Sequence, residues 1–110
     1  MALAFIPGKR LVFSRCTLIK RTTYESEYRD KITLIWRHVF RSPDYDGLLV
    51  YSGSILKMRE GETRSIRATM KREEKPAFSD NTFLRISRPY LLDVKTLPLI
   101  EGLSEQTKGL

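Results

Sequence analysis

The feature that most constrains this chain is the run from Lys31 to Phe40, in which Ile32, Leu34, Trp36, His38 and Phe40 fall at every second position. Successive side chains of an extended strand point to opposite faces, so this spacing gathers those residues on one side and Thr33, Ile35, Arg37 and Val39 on the other. A helix would scatter them. The segment that follows, Ser42-Pro-Asp-Tyr-Asp-Gly47, has turn chemistry. Proline presets φ, aspartate bonds nearby backbone, and glycine adopts conformations closed to other residues. The run from Leu48 to Met58 is strand-like again, so the sequence predicts a hairpin, and Gly53 within the return run predicts a bulge or sharp bend.

The rest of the chain has the same grain. Leu11 to Ile19 is rich in Val, Phe, Thr and Ile and reads as a strand, which Tyr24 to Tyr28 either continues or turns away from. Arg59 to Thr63 is a turn centred on Gly61. In Arg64 to Lys71 the alternation of Ile66, Ala68 and Met70 favours a strand, while the four-residue spacing of Ile66 and Met70 leaves a short helix near 62–74 as the alternative. Glu73 to Asn81 is a loop. Thr82 to Val94 resumes the sheet, and Pro89, which has no amide hydrogen, marks an edge or a break. Short strands separated by turns at intervals of roughly ten residues predict an all-β or β-dominated domain. The expected form is a small sandwich or curved, barrel-like sheet of five to six antiparallel strands. It spans residues 1–100, with 101–110 as a flexible tail.

Composition narrows the chemistry. A chain of 110 residues that is 41% hydrophobic can bury one core. One cysteine and one histidine exclude a disulfide framework and the Cys/His zinc arrangements. Cys16 and His38 share register with apolar neighbours and so read as core residues rather than a catalytic dyad. Asp44, Glu73, Glu74 and Lys75 include the acids and lysine that a metal-dependent nuclease needs. They fall, however, in an expected turn and loop, so neither an enzyme nor a cofactor is expected, with such a nuclease the nearest exception. The longest apolar stretch, Ala2 to Ile6, is far below the ~20 residues of a membrane span. A soluble intracellular protein, cytoplasmic or nuclear and not secreted, is the expectation.

Charge carries the functional reading. Twenty lysines and arginines face 13 acids, for a net +7, and residues 1–21 contain no acid at all. Arg64, Arg67 and Lys71 form a basic stripe as either strand or helix, and Arg85 and Arg88 extend it if the two strands pair. Lys20 and Arg21, with Arg15, make a second cluster, and Arg37 and Arg41 are interleaved with Trp36, Phe40, Tyr45 and Tyr51. Such stripes neutralise phosphates by counterion release, and exposed aromatics stack on unpaired bases. The expected partner is RNA or single-stranded nucleic acid. One alternative is a matrix-like or coat-like assembly on an anionic membrane surface, with Leu3, Phe5 and Ile6 as a wedge beside Lys9 and Arg10. A protein–protein interaction module is the other, and a homo-oligomer is compatible with each.

Overall fold

Alternation becomes a barrel here because the first strand is long enough to serve two neighbours. In the computed structural model, which describes residues 4–92, the strands are β1 (Arg10–Tyr28), β2 (Lys31–Arg41), β3 (Leu48–Gly53), β4 (Thr63–Glu74) and β5 (Phe83–Leu91). The first half of β1 pairs with β4, from Arg10 opposite Thr69 to Thr17 opposite Thr63, and its second half pairs with β2. The barrel closes in the order β1-β2-β3-β5-β4. Every pairing is antiparallel except β3 with β5, which is parallel, so the β-dominated, mostly antiparallel sheet is the one expected. Thr63–Glu74, where a short helix was the alternative, is strand. Its Ile66, Ala68 and Met70 are all buried, as a period of two requires.

Inside the barrel lie Phe13, Cys16 and Leu18 of β1, Phe40 of β2, Leu49 of β3, Ile66 and Met70 of β4, and Leu84 and Ile86 of β5. Bulges keep this set pointing inward as the strands curve. The register of β1 against β4 shifts between Phe13 and Cys16, where Arg15 takes a positive φ of 48°. In β4 the shift between Met70 and Arg72 makes Lys71 the extra residue, and in β5 Arg88 and Pro89 together oppose Ala68 alone. Pro89 therefore sits where the ladder is already broken. Gly53 ends β3 instead of bending it, and the Tyr51 phenol packs where its side chain would be. The connection from Ser54 to Glu62 then folds across the barrel end. It places Leu56 and Met58 on the core and exchanges backbone hydrogen bonds with Leu18.

One part of the sheet leaves the barrel. The β2–β3 pairing stops at Trp36 opposite Gly53, and β1 has no β4 neighbour beyond Thr17. Thr22–Tyr28 and Lys31–Ile35 consequently continue as a two-stranded ribbon, in a molecule 53 Å long but only 30 × 24 Å across. Its turn is Arg29-Asp30, with φ of 51° and 64°, the paired positive values of a tight hairpin turn. Ile32 and Leu34 share a face with His38 and Phe40 as the alternation predicts. They are nevertheless 68% and 52% exposed, because no other layer reaches them.

Candidate nucleic-acid interface

The register of the ribbon sorts its charges. Residues opposite one another in an antiparallel pair share a face. One face carries Lys20, Thr22, Tyr24, Ser26 and Tyr28 of β1 with Lys31, Thr33, Ile35 and Arg37 of β2. The other carries Arg21, Thr23, Glu25 and Glu27 with Ile32, Leu34, Trp36 and His38. Every strand acid of the ribbon is thus on the second face, while the first holds three cations and two tyrosines, with Tyr24 47% and Tyr28 68% exposed. At the tip, the Arg29 guanidinium lies 5.1 Å from the Tyr28 ring centroid. The basic face continues onto the barrel, where Arg37 stands opposite Ser52, whose hydroxyl is buried without a partner among the described residues.

The sequence-derived residues divide according to how their charge is used. Lys20 and Arg37 lie on the basic ribbon face, with no ion pair among the described residues. Arg21 is on the opposite face. It donates to the Leu56 and Met58 carbonyls, lies 5.8 Å from the Trp36 ring, and has its amide held by Glu60. It therefore clamps the 54–62 connection to the base of the ribbon. Arg64 is half-buried and donates to the Leu92 carbonyl at 3.1 Å. Arg85 is paired with Glu74 at 3.2 Å, and Arg72 binds the same carboxylate at 2.7 Å. Desolvation pulls the Glu74 pKa up, but these two guanidinium groups outweigh it and hold the carboxyl below its ordinary value.

A second basic patch lies on the β1–β4–β5 wall. Arg67 is exposed between Val12 and Tyr90 in the ladder, and Lys71 projects from its bulge. Arg88, at a positive φ of 50°, donates to the Thr69 hydroxyl at 3.2 Å, as does Arg10 from β1. The expected stripe and second cluster are therefore regrouped into two patches of different membership. Arg67, Lys71 and Arg88 lie in one, joined by Arg10, while Lys20 and Arg37 lie in the other, joined by Tyr24, Tyr28 and Lys31. The added residues of the ribbon were missed because their alternation, Tyr-Glu-Ser-Glu-Tyr, gains meaning only once Arg29-Asp30 is recognised as a hairpin turn.

The groups that suggested other chemistry are engaged structurally. Cys16 is fully buried, its thiol facing the Phe13 carbonyl, and burial pushes its pKa up to about 12. His38 is buried between Leu56 N–H, which donates to Nε2 at 3.1 Å, and the Tyr51 carbonyl, 3.3 Å from Nδ1. That pattern assigns the proton of a neutral ring to Nδ1. Asp44 accepts from the Ser14 amide, Glu73 from the Tyr45 hydroxyl, and Lys75 donates to the Ser79 and Asp80 carbonyls. Among the described residues no cluster of His, Cys, Asp and Glu is placed to hold a metal ion. Phe5, part of the expected membrane wedge, packs against the core, while Ile6 is exposed and Leu3 lies outside the described residues. No helix among the described residues is long and apolar enough to cross a membrane. Compared with protein-family models, curated proteins and solved structures, the chain matches none.

Proposed function

We propose that this protein binds RNA or single-stranded DNA along the basic, tyrosine-bearing face of the β1–β2 ribbon and its continuation onto the barrel. The observation that carries the reading is the segregation of charge across a two-stranded element. Lys20, Lys31 and Arg37 stand with Tyr24 and Tyr28 on one face, and Glu25 and Glu27 on the other. Charge scattered only for solubility has no reason to sort by face. Cations beside exposed aromatic rings are the pairing that an unpaired strand requires, one group for its phosphates and the other for its bases. The five-stranded closed barrel is a suitable support, since it fixes the base of the ribbon. Fold alone does not confer the activity, which rests on the side chains. Arg67, Lys71, Arg88 and Arg10 act as an auxiliary phosphate surface, and Arg85 contributes only when released from Glu74.

The test is a salt titration of binding to a fluorescent single-stranded oligonucleotide. The double variant Lys20→Glu and Arg37→Glu should bind more weakly and flatten the slope of log K against log salt by about 0.7 for each phosphate that is no longer neutralised. Reversal of Arg67 and Lys71 should weaken binding across all sequences, but less. Unchanged affinity and slope in the Lys20/Arg37 variant overturn the reading, and retention of the partner in high salt points instead to a protein partner.

A further inference from the structure

We infer that the barrel holds a second site, a cleft between the β1 bulge and the β2–β3 turn that takes a single nucleotide unit through its phosphate and ring together. The cleft has a volume of about 820 Å³, and its lining includes Arg15, Ile19, Arg41, Pro43, Tyr45 and Asp46. That is within the ~300–1,000 Å³ range of small-molecule sites. The ribbon face does not contribute to it.

Its cations are presented and its walls are fixed. Ser14 and Arg15 are looped out of the ladder, since Phe13 pairs with Ile66 and Cys16 with Arg64, leaving two residues opposite Ser65. Arg15 holds a left-handed backbone, a conformation that non-glycine residues rarely adopt. The bulge is fastened to the turn by Ser42 Oγ donating to the Ser14 carbonyl at 2.7 Å and by the Ser14 amide donating to Asp44 Oδ2 at 2.7 Å. Asp44 N–H closes the loop by donating to Ser42 Oγ at 3.1 Å. Beneath it Tyr45, 6% exposed, is anchored through its hydroxyl to Glu73 at 2.6 Å. Arg15 and Arg41 have no ion pair among the described residues.

The chemistry of the lining selects the ligand class. Two guanidinium groups suit a phosphate, for which arginine has the matching planar donors. A bare anion has no use for the neighbouring apolar surface of Ile19, which is 44% exposed, and Pro43. Asp44 is occupied by the bulge, so Asp46 is the lining carboxylate left to accept from a ring amine or sugar hydroxyl. A phosphate joined to a flat ring with donor groups satisfies all three surfaces.

The test titrates the full chain by amide NMR and calorimetry with inorganic phosphate, a nucleoside, a nucleoside 5′-monophosphate and a short single-stranded oligonucleotide. The monophosphate should shift the signals of residues 14–19 and 41–47 and bind at least about tenfold more tightly than phosphate or nucleoside alone. Arg41→Ala and Arg15→Gly should each weaken it by about tenfold or more. The glycine variant removes the charge while relieving the backbone, so misfolding does not explain its loss. Asp46→Asn should alter the preference among bases and keep the dependence on phosphate. Competition by the oligonucleotide identifies the ligand as a unit of a strand, and its absence as a free nucleotide. Equal binding of phosphate and monophosphate, or indifference to both arginine substitutions, overturns the inference. The Lys20→Glu and Arg37→Glu variant keeps the cleft intact, so it should bind monophosphate normally whether or not the ribbon binds strands.

Discussion

The two halves of β2 have the same alternation and different surroundings. From Trp36 to Phe40 the strand lies between β1 and β3, and its inward residues His38 and Phe40 are fully buried. From Lys31 to Ile35 only β1 accompanies it, and Ile32 and Leu34, on that same face, are exposed. Periodicity decides which residues share a face, while the number of neighbouring strands decides whether that face is covered. The change comes at Gly53, where β3 ends. A two-stranded ribbon is marginal alone. This one is held at its base by continuity with the barrel and by Arg21, which joins Trp36 to the 54–62 connection.

The largest expected effect breaks the comparison at the barrel. Phe40→Ala removes a fully buried ring and should cost about 3–5 kcal/mol in denaturant unfolding. Leu34→Ala, six residues earlier on the same face, should change stability by no more than about 0.5 kcal/mol. Comparable losses for both would mean that something covers the ribbon in solution. The next effect is on binding. Replacing Tyr24 and Tyr28 by Ala should weaken oligonucleotide affinity by ~1–3 kcal/mol for each base stacked, with stability almost unaltered. Glu25→Ala, on the opposite face, should leave binding unchanged or slightly stronger. Equal loss from either face would remove the segregation argument.

Much of the barrel was legible because its inward residues are apolar and its turns contain Pro, Asp and Gly. The alternation of Ile66, Ala68 and Met70 identified β4, and the burial of Cys16 and His38 followed from register. Three features were not legible. The parallel β3–β5 closure depends on a connection across the barrel that no local pattern encodes. The ribbon turn uses Arg29-Asp30 instead of the Asn-Gly or Asp-Gly that positive φ favours. The division of the cations depended on partners distant in sequence, such as Leu92 for Arg64 and Leu56 for Arg21, and on the Glu74 pairing of Arg85.

His38 gives a smaller effect at the seam between the two regions. Burial lowers its pKa first, Arg21 adds to that, and the Tyr51 hydrogen bond partly opposes it. The folded state therefore disfavours the proton that the unfolded chain accepts near pH 6.5. Stability should be level above that value and should fall as pH drops below it towards the folded pKa. Thermal midpoints between pH 8 and 5 check this, and NMR titration of the single histidine reads the ionisation directly. A midpoint that rises on acidification through that interval would contradict the assigned neutral ring.

The smallest expected effect is the most local. The Ser52 hydroxyl is buried and unpartnered among the described residues, on the β3 position opposite Arg37. An unsatisfied buried hydroxyl has lost its water without regaining a hydrogen bond, so Ser52→Ala should be neutral or stabilising, within about 1 kcal/mol. Binding gives the substitution its value. If Ser52→Ala weakens oligonucleotide affinity while leaving stability intact, the hydroxyl acts through the neighbouring Arg37, and the interface crosses from the ribbon onto the barrel there. If affinity is unmoved while the Tyr24 and Tyr28 substitutions reduce it, the strand is held by the ribbon alone. The barrel then serves only to hold the base of that ribbon.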